Sequence, residues 1–448
     1  MKYGNLPRGI YMEIKNRSAL FDFDGKVKLK EIIPLGLQHV VAMIVGCVAP
    51  AIIVASMANL NLQDKIILVQ SSLVFSGVAT VIQIFPLFNK IGSRLPIVMG
   101  ASFAYIPILS SIAEEFNVAT IFGAQMIGGG VAIIFGIFSR KIAKLFPEVV
   151  TGTVIFSIGL SLYSTAINYM AGGTGNESFG SPKNWLIAMI TLSIVIFLNF
   201  FTKGKLKLAS ILIAICIGYI IALFAGIVSF EGLNTATWFH MPKVLYFGLE
   251  FNATAIVSMV IMYIVNSVQA IGDISATTGG AMDRIPTEDE ISGVIMGNGF
   301  SSIIGALFGC VPTATYSQNV GIVTMNKVIN KGVFLLASII IIISGLIPKI
   351  SSILVSIPQC VLGGATIYVF ATITMTGIRM ICNSGLSTRN IAIVGLAIAL
   401  GTGIAQVNGA LGLFPEWVIS IFGGSSIIVT TLVAILLNLV LPKDEIGK

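Results

Sequence analysis

Fourteen apolar stretches follow one another along this chain of 448 residues, and most of them are as long as a membrane-spanning helix. Such a helix needs about 20 mostly apolar residues. Only 10% of the residues are charged, whereas about a quarter is usual in a soluble domain. The chain is therefore predicted to be an all-α polytopic membrane protein. The predicted spans are residues 35–58, 66–89, 97–113, 119–139, 148–170, 184–202, 206–229, 251–271, 291–309, 315–326, 332–348, 352–377, 390–408 and 416–441.

The basic residues support this topology, because cytoplasmic loops of membrane proteins collect Lys and Arg. With the N-terminus inside, all but four of the 26 basic residues fall in the tails and inner loops. The four on the outside are Lys65, Lys183, Lys243 and Lys349. We therefore expect cytoplasmic tails at residues 1–30 and 442–448 and a location in the cell membrane. The same bias accounts for the net charge of +7 without a nucleic-acid partner.

One polar segment interrupts the apolar pattern. Val311–Lys327 (VPTATYSQNVGIVTMNK) places Gln318, Asn319 and Gly321 at the depth of the membrane. Amides and hydroxyls are costly there unless they line a cavity, because lipid offers no hydrogen-bond partner. The segment therefore predicts a pathway for a solute.

The chain also repeats itself. Ala101–Ala104 (ASFA) in the third span resembles Ala314–Ser317 (ATYS) in the tenth span, seven spans later. An odd offset inverts the second copy, as in transporters whose site lies at the membrane midplane. The predicted repeats are residues 31–230 and 231–441. Both echoed segments lie in short spans, which suggests short strands followed by half-helices whose N–H groups point at the midplane.

Four segments stand out in order along the chain: Leu37–His39 with Ala42-Met43, Gly100–Ala104, Val268–Asp273 and Gln318–Gly321. Together they resemble the nucleobase/ascorbate transporter family, also called nucleobase:cation symporter-2. The family motif, Gln or Glu followed by Asn-x-Gly and later Thr, is approached by Gln318–Gly321, although Asn326 replaces the usual Thr.

The resemblance implies two inverted seven-span repeats. It further implies a core domain of spans 1–4 and 8–11, a gate domain of spans 5–7 and 12–14, and a homodimer. A planar base would bind between spans 3, 8 and 10 while the core moves against the gate. By position, the substrate-binding residues would be Phe103, Gln269, Ser317 and Gln318, and the supporting or coupling residues would be Gly46, His39, Asp273, Asn298 and Asn319.

Residue chemistry is compatible with a base as substrate. The Gln side chain offers a donor and an acceptor in one plane, so Gln269 and Gln318 could each read the amide-like edge of a base. The alternative is that both hydrogen-bond between helices. Phe103 could stack on the base or pack in the core.

The main departure from the family is Gln269, where relatives usually carry a glutamate tied to proton coupling. Glutamine cannot titrate, so coupling would use Asp273, His39 or sodium, or be absent. We interpret His39 as a structural link between helices. Asp273, expected at the end of the eighth span, is interpreted as a coupling carboxylate. Glutamine at Gln318 resembles the xanthine and uric acid carriers rather than the uracil carriers, which favours an oxidised purine.

Other functions remain open at this point. A uracil carrier, an anion carrier of the sulfate or bicarbonate type, and a channel would share the architecture. An intramembrane enzyme is disfavoured, because one buried His, one Asp and scattered cysteines supply neither a nucleophile with its base nor a metal set. The five cysteines have neither disulfide nor zinc-site spacing. No cofactor is expected, and the coupling ion, H⁺ or Na⁺, is undecided.

Overall fold

The computed structural model describes residues 19–139, 147–173, 176–230, 232–233, 236–407, 409–415, 418–423 and 426–442. Much of both predicted cytoplasmic tails lies outside these residues. In the first half, the elements are α1 (Leu29–Met57), α2 (Leu62–Ile84), β1 (Met99–Ala101), α3 (Ile106–Glu115), α4 (Val118–Ile137), α5 (Glu148–Met170), α6 (Pro182–Phe201), α7 (Lys205–Leu208) and α8 (Ser210–Phe224). In the second half, they are α9 (Ala253–Met282), α10 (Glu288–Leu307), β2 (Thr313–Thr315), α11 (Ser317–Asn326), α12 (Lys331–Leu346), α13 (Pro348–Val355), α14 (Gln359–Asn383), α15 (Thr388–Gln406) and α16 (Ser426–Val440).

The predicted all-α membrane fold is confirmed. Among the described residues, eight helices are long and apolar enough to cross a membrane, or nine if the bent pair α12–α13 counts as one span. Helices α8 and α16 are shorter and equally apolar. Most predicted spans overlap one helix or a strand and the helix after it, the seventh and twelfth overlap two helices each, and the exact count of fourteen stays a prediction.

Two predicted spans have different bounds in the structure. The twelfth was expected over residues 352–377, but α14 begins only after Pro358, and residues 348–355 form the separate helix α13. A proline disfavours helical backbone in the residue before it, which separates the two helices. The eighth span was expected to end near Asp273, yet α9 continues to Met282. The placement of Asp273 at a helix end was therefore wrong, because it lies within α9.

The two predicted short strands are present and pair with each other. Strands β1 and β2 are antiparallel, with Met99 opposite Thr315 and Ala101 opposite Thr313. Each strand leads into a ten-residue helix, α3 or α11. The pairing therefore brings the two halves of the chain together at one point inside the membrane-spanning bundle.

Neighbouring helices satisfy the polar groups of these strands. From α2, the Thr80 hydroxyl accepts a hydrogen bond from the Met99 N–H (2.9 Å), and the Ser76 hydroxyl accepts one from the Ala101 N–H (3.2 Å). From α10, Asn298 Oδ1 accepts a hydrogen bond from the Thr313 hydroxyl (3.0 Å). Lipid cannot supply such partners, so the strands are stable only within this surround of helices.

The described helices pack in two groups. In the first group, α4 packs on α9 and α10, and α2 packs on α12, around the two strands. In the second group, α14 packs along α5 and against α6, while α15 packs on α16. Contacts between the groups are sparse by comparison. Because few contacts cross this boundary, it is the natural place for one group to move against the other.

A short segment before α1, residues 19–25, is fastened to the connection between α11 and α12. The Asn330 amide donates hydrogen bonds to the carbonyl oxygens of Ala19 (3.1 Å), Asp22 (3.0 Å) and Gly25 (2.8 Å). The Asp24 carboxylate pairs with Lys331 (2.6 Å) and with Arg94 (2.9 Å). The hydrogen bond from Lys331 lowers the pKa of Asp24. This segment links the connection before β1 to the one after α11.

We expect Asn330→Ala to destabilise the protein by about 1–3 kcal/mol, because three carbonyl groups lose their common donor. The measurement is thermal unfolding of the purified protein in detergent. Asn326→Ala is the matched control, since the Asn326 amide has a single long contact, 3.4 Å from Gln38 Oε1. Equal unfolding temperatures for the two variants would contradict this role for Asn330.

Candidate functional site

The candidate site is built around the turn where β2 leads into α11. The first turn of a helix leaves backbone N–H groups without partners inside the helix and carries a partial positive charge. Helix α11 begins at Ser317, just after strand β2. Helix α3 follows the other strand, β1, after a short 3₁₀ turn at Phe103–Tyr105. Two helix N-termini therefore lie close to the paired strands.

Asp273 of α9 holds this turn in place. Its carboxylate accepts a hydrogen bond from the Ser317 hydroxyl (2.7 Å) and another from the Thr315 hydroxyl. Asp273 is buried. A buried carboxylate is expensive unless hydrogen bonds compensate it, and here the end of β2 and the start of α11 supply both donors. The site therefore contains a negative charge, or a proton bound in its place, beside the N-terminus of α11.

Gln269 and Gln318 lie on either side of this contact. Gln269 is one helical turn before Asp273 on α9, and Gln318 follows Ser317 on α11. The Gln318 side chain is exposed and that of Gln269 is half-buried. Neither amide has a hydrogen-bond partner among the residues that the structure describes. Two free amides therefore flank the turn, as donors and acceptors for a ligand.

Phe103 stands at the start of the 3₁₀ turn on the opposite strand. It is buried, with its ring 5.2 Å from the ring of Phe370 on α14 in an edge-to-face arrangement. The pair connects the strand region to the second group of helices. Phe103 therefore has both a packing role and a position at the boundary between the groups.

His39 and Asn319 form a buried link between α1 and α11. The Asn319 amide lies 3.0 Å from His39 Nδ1 and donates to the His39 carbonyl oxygen at 3.2 Å. The His39 ring also packs against Phe334 of α12, with centroids 4.7 Å apart. This geometry is compatible with a structural link between helices, and the role of His39 stays a prediction.

The other two predicted supporting residues, Gly46 and Asn298, contact the strand region from behind. A Cβ atom at Gly46 would lie 3.1 Å from the ring of Tyr316, so a larger residue would press on that ring. The Tyr316 hydroxyl donates to the Ala101 carbonyl oxygen (2.7 Å) and braces one strand against the other. Asn298 accepts from Thr313. Both residues shape the site without lying on its open side.

Sequence reasoning missed the open face beside the two glutamines. On α9, the residues Gly272, Ser275, Ala276 and Gly279 are exposed, and Gly321 is exposed on α11. A Cβ atom at Gly272, Gly279 or Gly321 would meet nothing within 4 Å. The four α9 residues have the spacing i, i+3, i+4 and i+7, which places them on one helix face. This spacing of small residues could have predicted the open face from the sequence. Thr315 was also missed as a partner of Asp273.

Metal-binding chemistry has no support in the described part of the chain, where no three His, Cys, Asp or Glu side chains cluster as metal ligands would. The five cysteines are free. The polar groups at the site are amides, hydroxyls and one carboxylate. This donor set suits hydrogen bonding to a small molecule.

The helical architecture is shared with solved anion transporters. The transmembrane domain of the cyanobacterial bicarbonate transporter BicA matches 92% of this chain and 99% of its own, with a TM-score of 0.57 and 13% identity. The structure of SLC26A9 matches 92% of this chain and 66% of its own, with a TM-score of 0.64 and 12% identity. At such low identity, the likeness concerns the fold alone.

Sequence relatives give the family. The permease family model matches residues 30–410. A xanthine permease of Bacillus subtilis is 34% identical over 409 residues, covering 91% of this chain and 92% of its own length. The uric acid permease PucK of the same organism is 33% identical (91% and 95%), and the xanthine permease XanP of Escherichia coli is 29% identical (97% and 96%). These relatives are permeases, not enzymes. The chain therefore belongs to the nucleobase/ascorbate transporter family, the permease family of the xanthine and uric acid permeases.

Proposed function

We propose that this protein is a symporter in the cell membrane that takes up an oxidised purine base, such as xanthine or uric acid. The observation that carries the proposal is the pair of free amides, Gln269 and Gln318, on either side of the turn held by Asp273. Xanthine and uric acid present adjacent N–H and C=O groups along their ring edges. A Gln amide matches such an edge with two hydrogen bonds in one plane.

Helix α11 contributes to the same recognition. Its first N–H groups are directed at the site and suit a carbonyl oxygen or a weakly acidic ring nitrogen of an oxidised purine. Phe103, on the opposite strand, offers an aromatic surface at the boundary between the helix groups. Stacking on an aromatic side chain is worth about 1–3 kcal/mol for a nucleic-acid base. In this proposal, the two amides and the N-terminus of α11 bind the polar edge of the base, and the Phe103 ring contacts its flat face.

We further propose that the two groups of packed helices are the core and gate domains of an alternating-access transporter. The candidate site lies on α9, α11 and the strands, all in the first group. Phe103 contacts Phe370 of the second group at the boundary. A ligand bound there would be exposed to one side or the other as the first group moves. The inverted repeats and the paired strands at their meeting point are typical of this arrangement.

The open face of α9 is proposed as the cytoplasmic access route to the site. Gly279 lies nearer the inner end of α9 in the predicted topology, and a side chain placed there would meet open space. At the next residue, Gly280, a Cβ atom would lie 2.6 Å from a side-chain carbon of Thr324. Adjacent positions on one helix thus differ in accessibility, which allows a matched test.

We expect Gly279→Cys to react with a membrane-impermeant thiol reagent added from the cytoplasmic side, while Gly280→Cys stays unreactive. The background is Cys216→Ser with Cys382→Ser, because these two cysteines are exposed. The measurement is mass-tag labelling in inside-out vesicles. A saturating purine should slow the labelling of Gly279→Cys. Equal labelling of both variants would contradict an open route along this face.

Coupling to an ion gradient is assigned to Asp273 in this proposal. Gln269 cannot gain or lose a proton, whereas the Asp273 carboxylate touches the turn that carries Ser317 and Gln318. A proton or a sodium ion bound at Asp273 would compensate its charge and change its hydrogen bonds to that turn. Ion binding and base binding would then act on the same few residues. We also propose a homodimer with both termini in the cytoplasm, as in the resembling family.

Ligand binding tests the substrate class directly. Purified protein in detergent is incubated separately with radiolabelled xanthine, urate, guanine, uracil, sulfate and bicarbonate, and the bound amount of each is measured. We expect xanthine or urate to bind most tightly. Tight binding of uracil without binding of either oxidised purine would mean that the protein is a transporter of a different base.

An anion carrier is the second candidate, favoured by the fold of BicA and SLC26A9 and by the helix N-termini at the site. The Asp273 carboxylate argues against it, because its negative charge lies at the N-terminus of α11, where an anion would bind. Binding of sulfate or bicarbonate at millimolar concentration, without binding of any base, would establish the anion carrier instead.

A further inference from the structure

Residues 237–251, here called the outer strap, cross the ends of several spanning helices on the side that the predicted topology places outside the cell. The strap backbone is fixed at three points. The N–H of His240 donates to the carbonyl oxygen of Leu346 (3.2 Å), that of Leu245 to Leu307 (2.6 Å) and that of Glu250 to Ala119 (3.0 Å). The strap therefore lies across the ends of α12, α10 and α4 in a defined position.

Large apolar side chains project from this fixed backbone. Trp238 is 75% exposed, and Phe239 and Met241 are each 64% exposed. The other exposed apolar residues of the strap are Val244, Leu245, Tyr246 and Phe251. A run of large exposed apolar side chains in one short segment is typical of an interaction site. The underside is already occupied, because Phe247 packs against Phe122 with ring centroids 5.6 Å apart.

The strap is bonded to the end of α12, which also carries exposed apolar side chains. Ile339 and Ile343 are exposed on α12, the second of them in the last turn before Leu346, to which His240 is bonded. The next helix, α13, turns away from α12 by 83° and therefore runs close to the membrane plane. Trp238 and Phe239 immediately precede His240, whose N–H is bonded to Leu346, so they lie near the end of α12.

The chemistry of the strap suits the boundary between hydrocarbon and water. Trp and Tyr concentrate at that boundary, where an apolar ring meets lipid and a polar edge meets headgroups. The Lys349 ammonium of α13 lies 4.6 Å from the ring centre of Trp238. Lys243 is exposed within the strap. Two cations beside a row of aromatic rings are complementary to lipid phosphates.

We propose that the outer strap is a lipid-binding surface that lies in the outer headgroup region of the bilayer, with Trp238 at its centre. The strap is hydrogen-bonded to helices of the first packing group, so this surface belongs to that group. Its partner is the phospholipid bilayer itself, with the rings among the upper acyl chains and the two lysines at phosphate groups.

Tryptophan fluorescence tests this placement. The chain contains three tryptophans, and Trp185→Phe with Trp417→Phe leaves Trp238 as the only emitter. The protein is reconstituted into vesicles of phosphatidylcholine that carries bromine atoms on its acyl chains. We expect blue-shifted emission from Trp238, strong quenching by the brominated lipid and weak quenching by iodide added outside.

The control places a tryptophan in a polar outer loop. Glu177→Trp, with all three native tryptophans replaced by Phe, should give red-shifted emission that iodide quenches and brominated lipid does not. If Trp238 behaves like this control, the strap lies in water and the proposal is wrong. If Trp238 is shielded from both quenchers and becomes accessible when the protein is diluted in lipid, the strap is a contact between two copies of the chain, which also overturns the proposal.

Discussion

Gln318→Ala is expected to reduce the apparent affinity for the transported purine by about 5- to 150-fold, because two hydrogen bonds of about 0.5–1.5 kcal/mol each are lost. The Gln318 side chain is exposed at the start of α11 and has no partner within the described residues. Its removal therefore leaves the fold intact and removes only contacts to a ligand. The measurement is the concentration dependence of radiolabelled xanthine and urate uptake in proteoliposomes.

Gln406→Ala is the matched control for this change. Gln406 is exposed at the last residue of α15, away from the strands and from α9. Its replacement should leave both affinity and maximal rate unchanged. Unaltered affinity in Gln318→Ala, with protein that unfolds at the normal temperature, would remove Gln318 from the binding site.

Asp273→Asn is expected to abolish accumulation of the base against its concentration gradient while exchange of internal for external base continues. Asparagine can still accept a hydrogen bond from Ser317 or Thr315, so the turn between β2 and α11 keeps much of its support. It cannot carry the negative charge or the bound proton. The measurement compares uptake under an imposed ion gradient with counterflow in the absence of any gradient.

Asp283→Asn controls for the loss of a carboxylate from the same helix region. Asp283 is the residue after α9 and makes an exposed pair with Lys327 at 3.6 Å, which is worth little energetically. This variant should accumulate base as the unmodified protein does. Normal accumulation by Asp273→Asn would place ion coupling elsewhere in the chain.

The sequence was sufficient to predict that the third and tenth spans each consist of a short strand and a short helix. Polar and β-branched residues in a short apolar span are difficult to place in a continuous membrane-spanning helix. It was not sufficient for the extent of α9. Residues 275–282 are rich in Gly, Ser and Thr, which disfavour helix in isolation. In the structure they remain helical where α9 packs on α11, and Gly280 allows the close approach to Thr324.

The polar contacts at the site could not be predicted from spacing along the chain. Asp273 and Ser317 are 44 residues apart, and His39 and Asn319 are 280 residues apart. Only the folding of α1, α9 and α11 around the strands brings these residues together. The resemblance to a family suggested most of the residues of the candidate site, whereas their partners, Thr315 above all, depend on the three-dimensional arrangement.

Uptake into proteoliposomes tests the central claim most directly. Radiolabelled xanthine, urate, guanine and uracil are each supplied outside, under an inward proton gradient, an inward sodium gradient or no gradient. We predict that xanthine or urate accumulates above its external concentration under one of the two gradients and only equilibrates without one. If no base enters under any condition while the protein remains folded, the proposed purine symporter is wrong.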